Sequence, residues 1–330
     1  MSASSTPSTD WREVISPDES ARFAAYAATL TAIQRRRSER LGAGRALHRK
    51  QLIALKGTLT VLERLPEFAR QGLFATPGTH EVWLRYSNGG SDKQPDGKPD
   101  VRGLAFKVFG VHGESALGGP ARSQDFSLIN HPQFAFPKSD EFIGFVEGLS
   151  RGPFALISYL VRRYGLFNGL SRMIRMVKNT STPFFGFETE TLYSAVPIAC
   201  GPYAVRYRLL PEQSNGPAPA RPPADLGQAL AARLKQSSLQ YELQLQPFVS
   251  EDVTPIEDAS VNWPTPYVTV ARLELPVQAL DGQVLQAFQT EAEADVFDLW
   301  QALAAHRPLG DVQRARKVAY YESQKARGRS

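Results

Sequence analysis

With 330 residues, 42% of them apolar and 22% charged, the chain can bury a large core and lies outside the compositions of disordered, collagen-like and disulfide-framework proteins. Its 38 Lys and Arg against 33 Asp and Glu leave a weak positive surplus with no nucleic-acid motif, so nucleic acid is not expected as a partner. The single cysteine, Cys200, excludes an internal disulfide and fits a reducing compartment; set among Ala199, Gly201 and Pro202, it reads as a small packing residue.

In chain order, residues 1–15 begin Met-Ser-Ala-Ser-Ser-Thr-Pro-Ser-Thr-Asp, with no basic n-region and no apolar stretch. They are expected as a disordered tail rather than a signal peptide, which makes cytoplasmic the default location. Residues 16–330 are expected as one domain. A helix is predicted after Ser16-Pro17-Asp18-Glu19, with Ser16 as cap and Glu19 completing a capping box. Phe23, Tyr26, Leu30 and Ile33 recur on it at helical spacing. Its basic end, Arg35, Arg36, Arg37 and Arg40, complements the helix dipole.

From Gly57 to about Asn130, short alternating runs broken by Asn88-Gly89-Gly90 and Pro95-Asp96-Gly97 predict strands. A helical block follows over about 139–178. Its greasiest run, Phe154 to Val161, is far shorter than the ~20 residues that span a bilayer. Strands resume over 192–210, and the Pro-rich stretch at 215–224 is a loop. A short helix from Asp225, strands near 239–248 and 267–275, and two closing helices complete the pass. Segregated strands and helices without βαβ alternation predict an α+β class built on an antiparallel sheet or barrel.

Five fragments carry chemistry. They are Arg45-Ala-Leu-His48-Arg-Lys50, Arg85-Tyr86-Ser87, Asp100-Val-Arg-Gly-Leu-Ala-Phe-Lys107, Gln124 to Pro132, and Arg316-Lys-Val-Ala-Tyr320. On a strand over 82–87, Trp83, Arg85 and Ser87 share one face while Val82, Leu84 and Tyr86 share the other. Phe126, Leu128 and Asn130 likewise share a face, leaving one amide at the end of an apolar strip. On the last helix, Arg316, Tyr320 and Arg327 fall on one narrow stripe, a phenol flanked by two cations.

Taken in this order, the fragments resemble the haem catalase superfamily, and its compact catalase-related members more than the full-length enzymes. Strong matching covers about residues 45–136 and 314–327. The resemblance implies a catalase-like antiparallel β-barrel with surrounding and C-terminal helices that binds haem b. Tyr320 is then the iron ligand as a phenolate, with Arg316 favouring the anion and the anionic oxygen supporting high oxidation states of the metal. His48 becomes the acid/base group, Ser87 orients its ring, and Asn130 donates to the bound peroxide. Arg45, Arg85 and Arg327 hold the haem propionates, where a guanidinium fork suits a carboxylate. Tyr321 is the weaker rival for iron, because it points about 100° away and has Lys317 four residues before it.

Leu47 and His131 depart from the family at positions expected on the pocket rim. The sequence ends ten residues after Tyr320, so NADPH binding is not carried over, and a less enclosed haem is expected to admit larger peroxides. The expected activity is a haem peroxidase with catalase-like action on hydrogen peroxide or organic hydroperoxides. One alternative is a fatty-acid hydroperoxide isomerase or lyase resembling allene oxide synthase, for which the apolar, basic block from Phe154 to Lys178 offers a lipid substrate or a membrane surface. Non-enzymatic haem binding is a further alternative, which needs no acid/base histidine. Self-association into a homo-oligomer is compatible with each reading.

Overall fold

The structure is a computed structural model that describes residues 6–278 and 282–329. Nine strands form one antiparallel sheet. These are β1 (Gln51–Val61), β2 (Gly78–Asn88), β3 (Arg102–Val108), β4 (Gln124–Ile129), β5 (Leu192–Tyr193), β6 (Ile198–Cys200), β7 (Tyr203–Pro211), β8 (Leu239–Pro247) and β9 (Val268–Leu275). The order is β5-β4-β3-β2-β1-β9-β8-β7-β6, and β5 also pairs with β7 through Leu192–Leu209 and Tyr193–Arg208. That extra pairing closes eight strands into a barrel, with β6 as a hairpin arm on β7. Closure removes the edges that an open sheet would expose.

Alternation decides what faces inward. Val82, Leu84 and Tyr86 of β2, Leu104 and Phe106 of β3, and Phe126 and Leu128 of β4 belong to the barrel core. Phe126 stacks on Phe106 at 4.7 Å and meets Tyr207 edge-on at 5.1 Å. The opposite parity is small or polar: Arg85, Ser87, Gly103, Ala105 and Ser127. The register pairs Ser87 with Gly103, and Ala105 with both Arg85 and Ser127, so these outward positions make one shallow floor.

The helices are α1 (Glu19–Leu41), α2 (Ser139–Arg151), α3 (Pro153–Tyr164), α4 (Leu166–Thr180), α5 (Leu226–Leu234), α6 (Gly282–Ala294) and α7 (Asp311–Lys325). Three of them roof the floor: Ala27, Leu30 and Ile33 of α1, Ile143 and Val146 of α2, and Ala319 of α7 pack as a second apolar cluster. The α+β barrel, the helical block over 139–178 and the predicted strands match the sequence expectation. The helix from Asp225 does too, with Asp225 Oδ1 accepting from Gln228 N. Cys200 is fully buried in the barrel core, where burial pushes its thiol well up, so it packs and does not ligate.

Two expectations at the N-terminus are corrected. Within the stretch expected to be a disordered tail, residues 6–15 lie against the body of the protein; residues 1–5 fall outside the described ones. Ser8 N donates to Phe248 O, Trp11 Nε1 donates to Pro202 O at 2.8 Å, and Arg307 lies over the Trp11 ring. The capping box at Ser16–Glu19 does not form. Asp18 precedes the helix without a side-chain cap, and Glu19 turns instead to Arg314 of α7 at 2.7 Å. Arg314 also binds Glu13 and Glu257, at 2.7 and 2.9 Å. A mostly buried guanidinium that answers three carboxylates outcompetes one local cap.

Candidate active site

Between the small-residue floor and the α1–α2–α7 roof lies a cavity of about 210 Å³. Seven residues singled out in the sequence line it: Arg45, His48, Arg85, Ser87, Arg316, Tyr320 and Arg327. They come from the loop between α1 and β1, the outer face of β2, one stripe of α7 and, for Arg327, the turn just past its end.

His48 is held from several directions. Its backbone lies in the left-handed region at φ 50°, a conformation that costs a non-glycine residue about 1–3 kcal/mol and is kept only where surroundings enforce it. Here the enforcement is visible. His48 N donates to Gly89 O, and Arg85 Nη2 donates to His48 O at 3.0 Å. Nearby, Arg49 Nη1 donates to Arg45 O, Arg49 also bonds Gly42 O, and Gln34 Nε2 ties Gly44 O to α1. The ring lies against Gly103, where even a Cβ would come within 2.4 Å of Cε1. Its Nδ1 meets Ser87 Oγ at 3.0 Å, which leaves Nε2 as the ring atom free for another partner. Burial, then the charges of Arg85, Arg316 and Arg45, push its pKa down to about 3, so the imidazole is neutral at working pH.

On the α7 wall, Arg316 donates to the Tyr320 oxygen through Nε at 3.2 Å and Nη2 at 2.5 Å. It is further anchored to Gln313 Oε1 and Ser127 Oγ. Burial alone would depress this guanidinium, but Tyr320 beside it raises it above its ordinary value. The phenol oxygen is therefore presented as an acceptor in a cationic setting. Tyr321, the rival, is exposed and lies under Lys325.

The three remaining arginines gather at one end. Arg45 Nη1 binds Glu293 Oε1 at 2.7 Å, and Arg85 binds Glu293 Oε2 through Nε and Nη2 at 2.9 and 2.7 Å. Burial and mutual repulsion push Arg85 down to about 9 and Arg327 down to about 10. Arg327 Nε is buried with no hydrogen-bond partner among the described residues. Three guanidinium groups thus meet one contacting carboxylate, and positive charge is left over.

Asn130 is a correction. The strand ends at Ile129, and the face that Phe126 and Leu128 share turns into the barrel core rather than onto the outward floor of the cavity. Its Oδ1 accepts from Arg102 N at 2.8 Å and its N–H donates to Arg102 O, which fastens the ends of β3 and β4. Asn130 and His131 do not line the cavity, whereas Leu47 does. Glu293 was missed from the sequence because an acid on α6 beside Glu291 belongs to no motif. Its partners lie 208 and 248 residues away. Ser127, which supports Arg316, was equally silent.

No protein-family model and no curated protein matches the sequence. Solved structures do. A fungal catalase matches at TM-score 0.67 and 15% identity over 86% of this chain and 59% of its own. Catalase A from Saccharomyces cerevisiae matches at 0.67 and 17% over 86% and 61%, and a bacterial catalase at 0.62 and 15% over 87% and 57%. The chain has the catalase fold. It spans about three-fifths of the length of those catalases.

Proposed function

We propose that this protein is a haem-dependent peroxidase with catalase-like action on hydrogen peroxide or organic hydroperoxides. The observation that carries the reading is that one cavity is lined both by a neutral, rigidly held His48 and by a Tyr320 oxygen that accepts from Arg316. The residues present fit haem b. The surplus of Arg45, Arg85 and Arg327 over Glu293, with Arg327 Nε unpartnered, suits a dianionic edge. Tyr320 would hold the iron through its oxygen and the three arginines would hold the propionates.

A bound haem supplies the redox centre at which a peroxide O–O bond is cleaved. The chain supplies the proton chemistry. His48 Nε2 accepts a proton from the incoming hydroperoxide and returns it to the departing oxygen, a contribution of ~10²–10⁴ in rate. Ser87 fixes the ring through Nδ1, and the left-handed backbone at His48 sets its height above Gly103. Asn130 takes no part in this scheme.

A fatty-acid hydroperoxide isomerase is the second reading, favoured by the apolar side of the cavity, where Leu30, Phe134, Phe142, Ile143 and Val196 are suited to an alkyl chain. One experiment separates the two. Haem-loaded protein is mixed with hydrogen peroxide plus a phenolic donor and, separately, with a fatty-acid hydroperoxide. Oxygen release or donor oxidation supports the first reading, lipid rearrangement without donor consumption supports the second, and failure to take up haem removes both.

A further inference from the structure

The helical pair α3–α4 carries a charge and an apolar exposure that the cavity does not use. Residues 151–187 hold six of the 38 cations and none of the 33 acids, so the rest of the chain, 32 cations against 33 acids, is near neutral. The segment thus carries a net charge at least as large as that of the whole chain. Its apolar exposure is equally concentrated. Of the twelve large hydrophobic side chains that are well exposed among the described residues, seven fall within 149–177.

The helix geometry organises them. On α4, Leu166, Phe167, Leu170, Ile174 and Val177 fall within about 100° of arc at ~100° per residue, and every one of them is exposed. Phe154, at the N-terminus of α3, and Phe167 are 87% and 85% exposed, an expensive state for a phenyl ring in water. The pair itself is firmly built. Gly169 lets α4 approach the Leu160 carbonyl, where a Cβ would come within 2.7 Å. Tyr159 donates to Glu141 O, Arg163 pairs with Asp140, and Arg172 stacks on Tyr164 while facing Glu141. The inner side of the pair is thus spoken for by α2. Arg162 and Lys178, both exposed, have no carboxylate partner among the described residues.

We infer that the α3–α4 face is a membrane-surface site that lays Phe154, Phe167 and Ile174 into the interfacial region of an anionic lipid bilayer, with Arg162 and Lys178 on the headgroups. Charge complementarity selects this occupant. A second copy of the chain would bring a second segment of six cations and no acids against the first, whereas an anionic leaflet neutralises the charge as it covers the rings. No helix among the described residues is long and apolar enough to cross a membrane, so the contact is in-plane. The inference is independent of the cavity chemistry.

The test is co-sedimentation of the full chain with phosphatidylcholine vesicles and with vesicles containing 30% phosphatidylglycerol, at low and high salt, alongside the sedimentation mass of the free protein. Binding is expected to the anionic vesicles only and to weaken with salt. Phe154→Ser with Phe167→Ser is expected to lower it at least tenfold. Arg162→Gln with Lys178→Gln should lower it about fivefold per charge. Both pairs replace exposed side chains and leave the helical circular dichroism unchanged. The inference is overturned by absence of binding to anionic vesicles, by equal binding to neutral ones, or by full binding of the double-Ser variant. A dimer in the free protein that the double-Ser variant loses overturns it as well, since a second copy would then be what covers the face.

Discussion

Adding one methyl group at Gly103 tests how His48 is held. Gly103 pairs with Ser87 across β2 and β3, and an added Cβ would sit 2.4 Å from His48 Cε1 and 2.6 Å from Nδ1, with Ser87 Oγ at 3.3 Å. The φ of Gly103 is outside the left-handed region, so the backbone accepts alanine, and stiffening the unfolded chain stabilises by about 0.4–1 kcal/mol. Overpacking against the ring costs about 1–3 kcal/mol, which leaves a net loss on the order of 1–2 kcal/mol and a Tm lower by a few degrees. The effect on chemistry is far larger. Relief of the clash moves the imidazole away from Ser87 and forfeits most of an acid/base contribution of ~10²–10⁴. The assay is peroxide turnover by oxygen release and phenol oxidation, with haem content and Tm measured on the same samples. Gly103→Ala is expected to bind haem as the wild type does and to turn over ~100-fold more slowly or worse. Wild-type turnover at wild-type haem content would refute the reasoning.

Other expectations follow from the same contacts. Glu293→Gln removes the carboxylate that now occupies Arg45 and Arg85, so the unloaded protein should melt lower while its affinity for haem rises by about tenfold, ~1.4 kcal/mol, in a haem titration. Arg314→Ala leaves Glu13, Glu19 and Glu257 facing one another and should cost ~3 kcal/mol in denaturant unfolding, loosening α7 and with it haem retention; an unchanged midpoint contradicts the clasp. Stability should also fall in acid. His48 and His306 are pushed down to about 3 and about 4, mainly by burial, whereas the unfolded chain takes up protons from about pH 6.5 downward. Stability is therefore complete above pH 7 and is lost as pH drops from 6.5 through 4 for His306 and through 3 for His48, by an amount on the order of 4 kcal/mol per histidine at full titration. A melting temperature that is flat from pH 7 to pH 4 contradicts it.

Much of the site could be read from the sequence because its residues sit at fixed spacings on regular elements. Arg316 and Tyr320 lie one turn apart on α7, with Arg327 on the turn just past it, and Arg85 and Ser87 follow strand alternation. Asn130 differs: its parity is that of Phe126 and Leu128, which face the barrel core, and it lies one residue past the end of β4. Glu293, Arg49 and Gln34 were invisible because they act across the fold through contacts that no local pattern encodes. At the N-terminus, polar composition argued for disorder, yet Trp11 and Glu13 find an indole acceptor and two arginines in distant segments. Composition describes what a segment can bury by itself. It does not report what the rest of the chain offers it.

The central claim is that the Tyr320 oxygen is an iron ligand, and resonance Raman spectroscopy of the haem-loaded protein tests it most directly. One haem per chain with tyrosinate vibrations that vanish in Tyr320→Phe, and persist in Tyr321→Phe and His48→Ala, is the result this account predicts. Haem bound stoichiometrically with the same spectrum in Tyr320→Phe, or no haem bound by the wild-type chain, would contradict it.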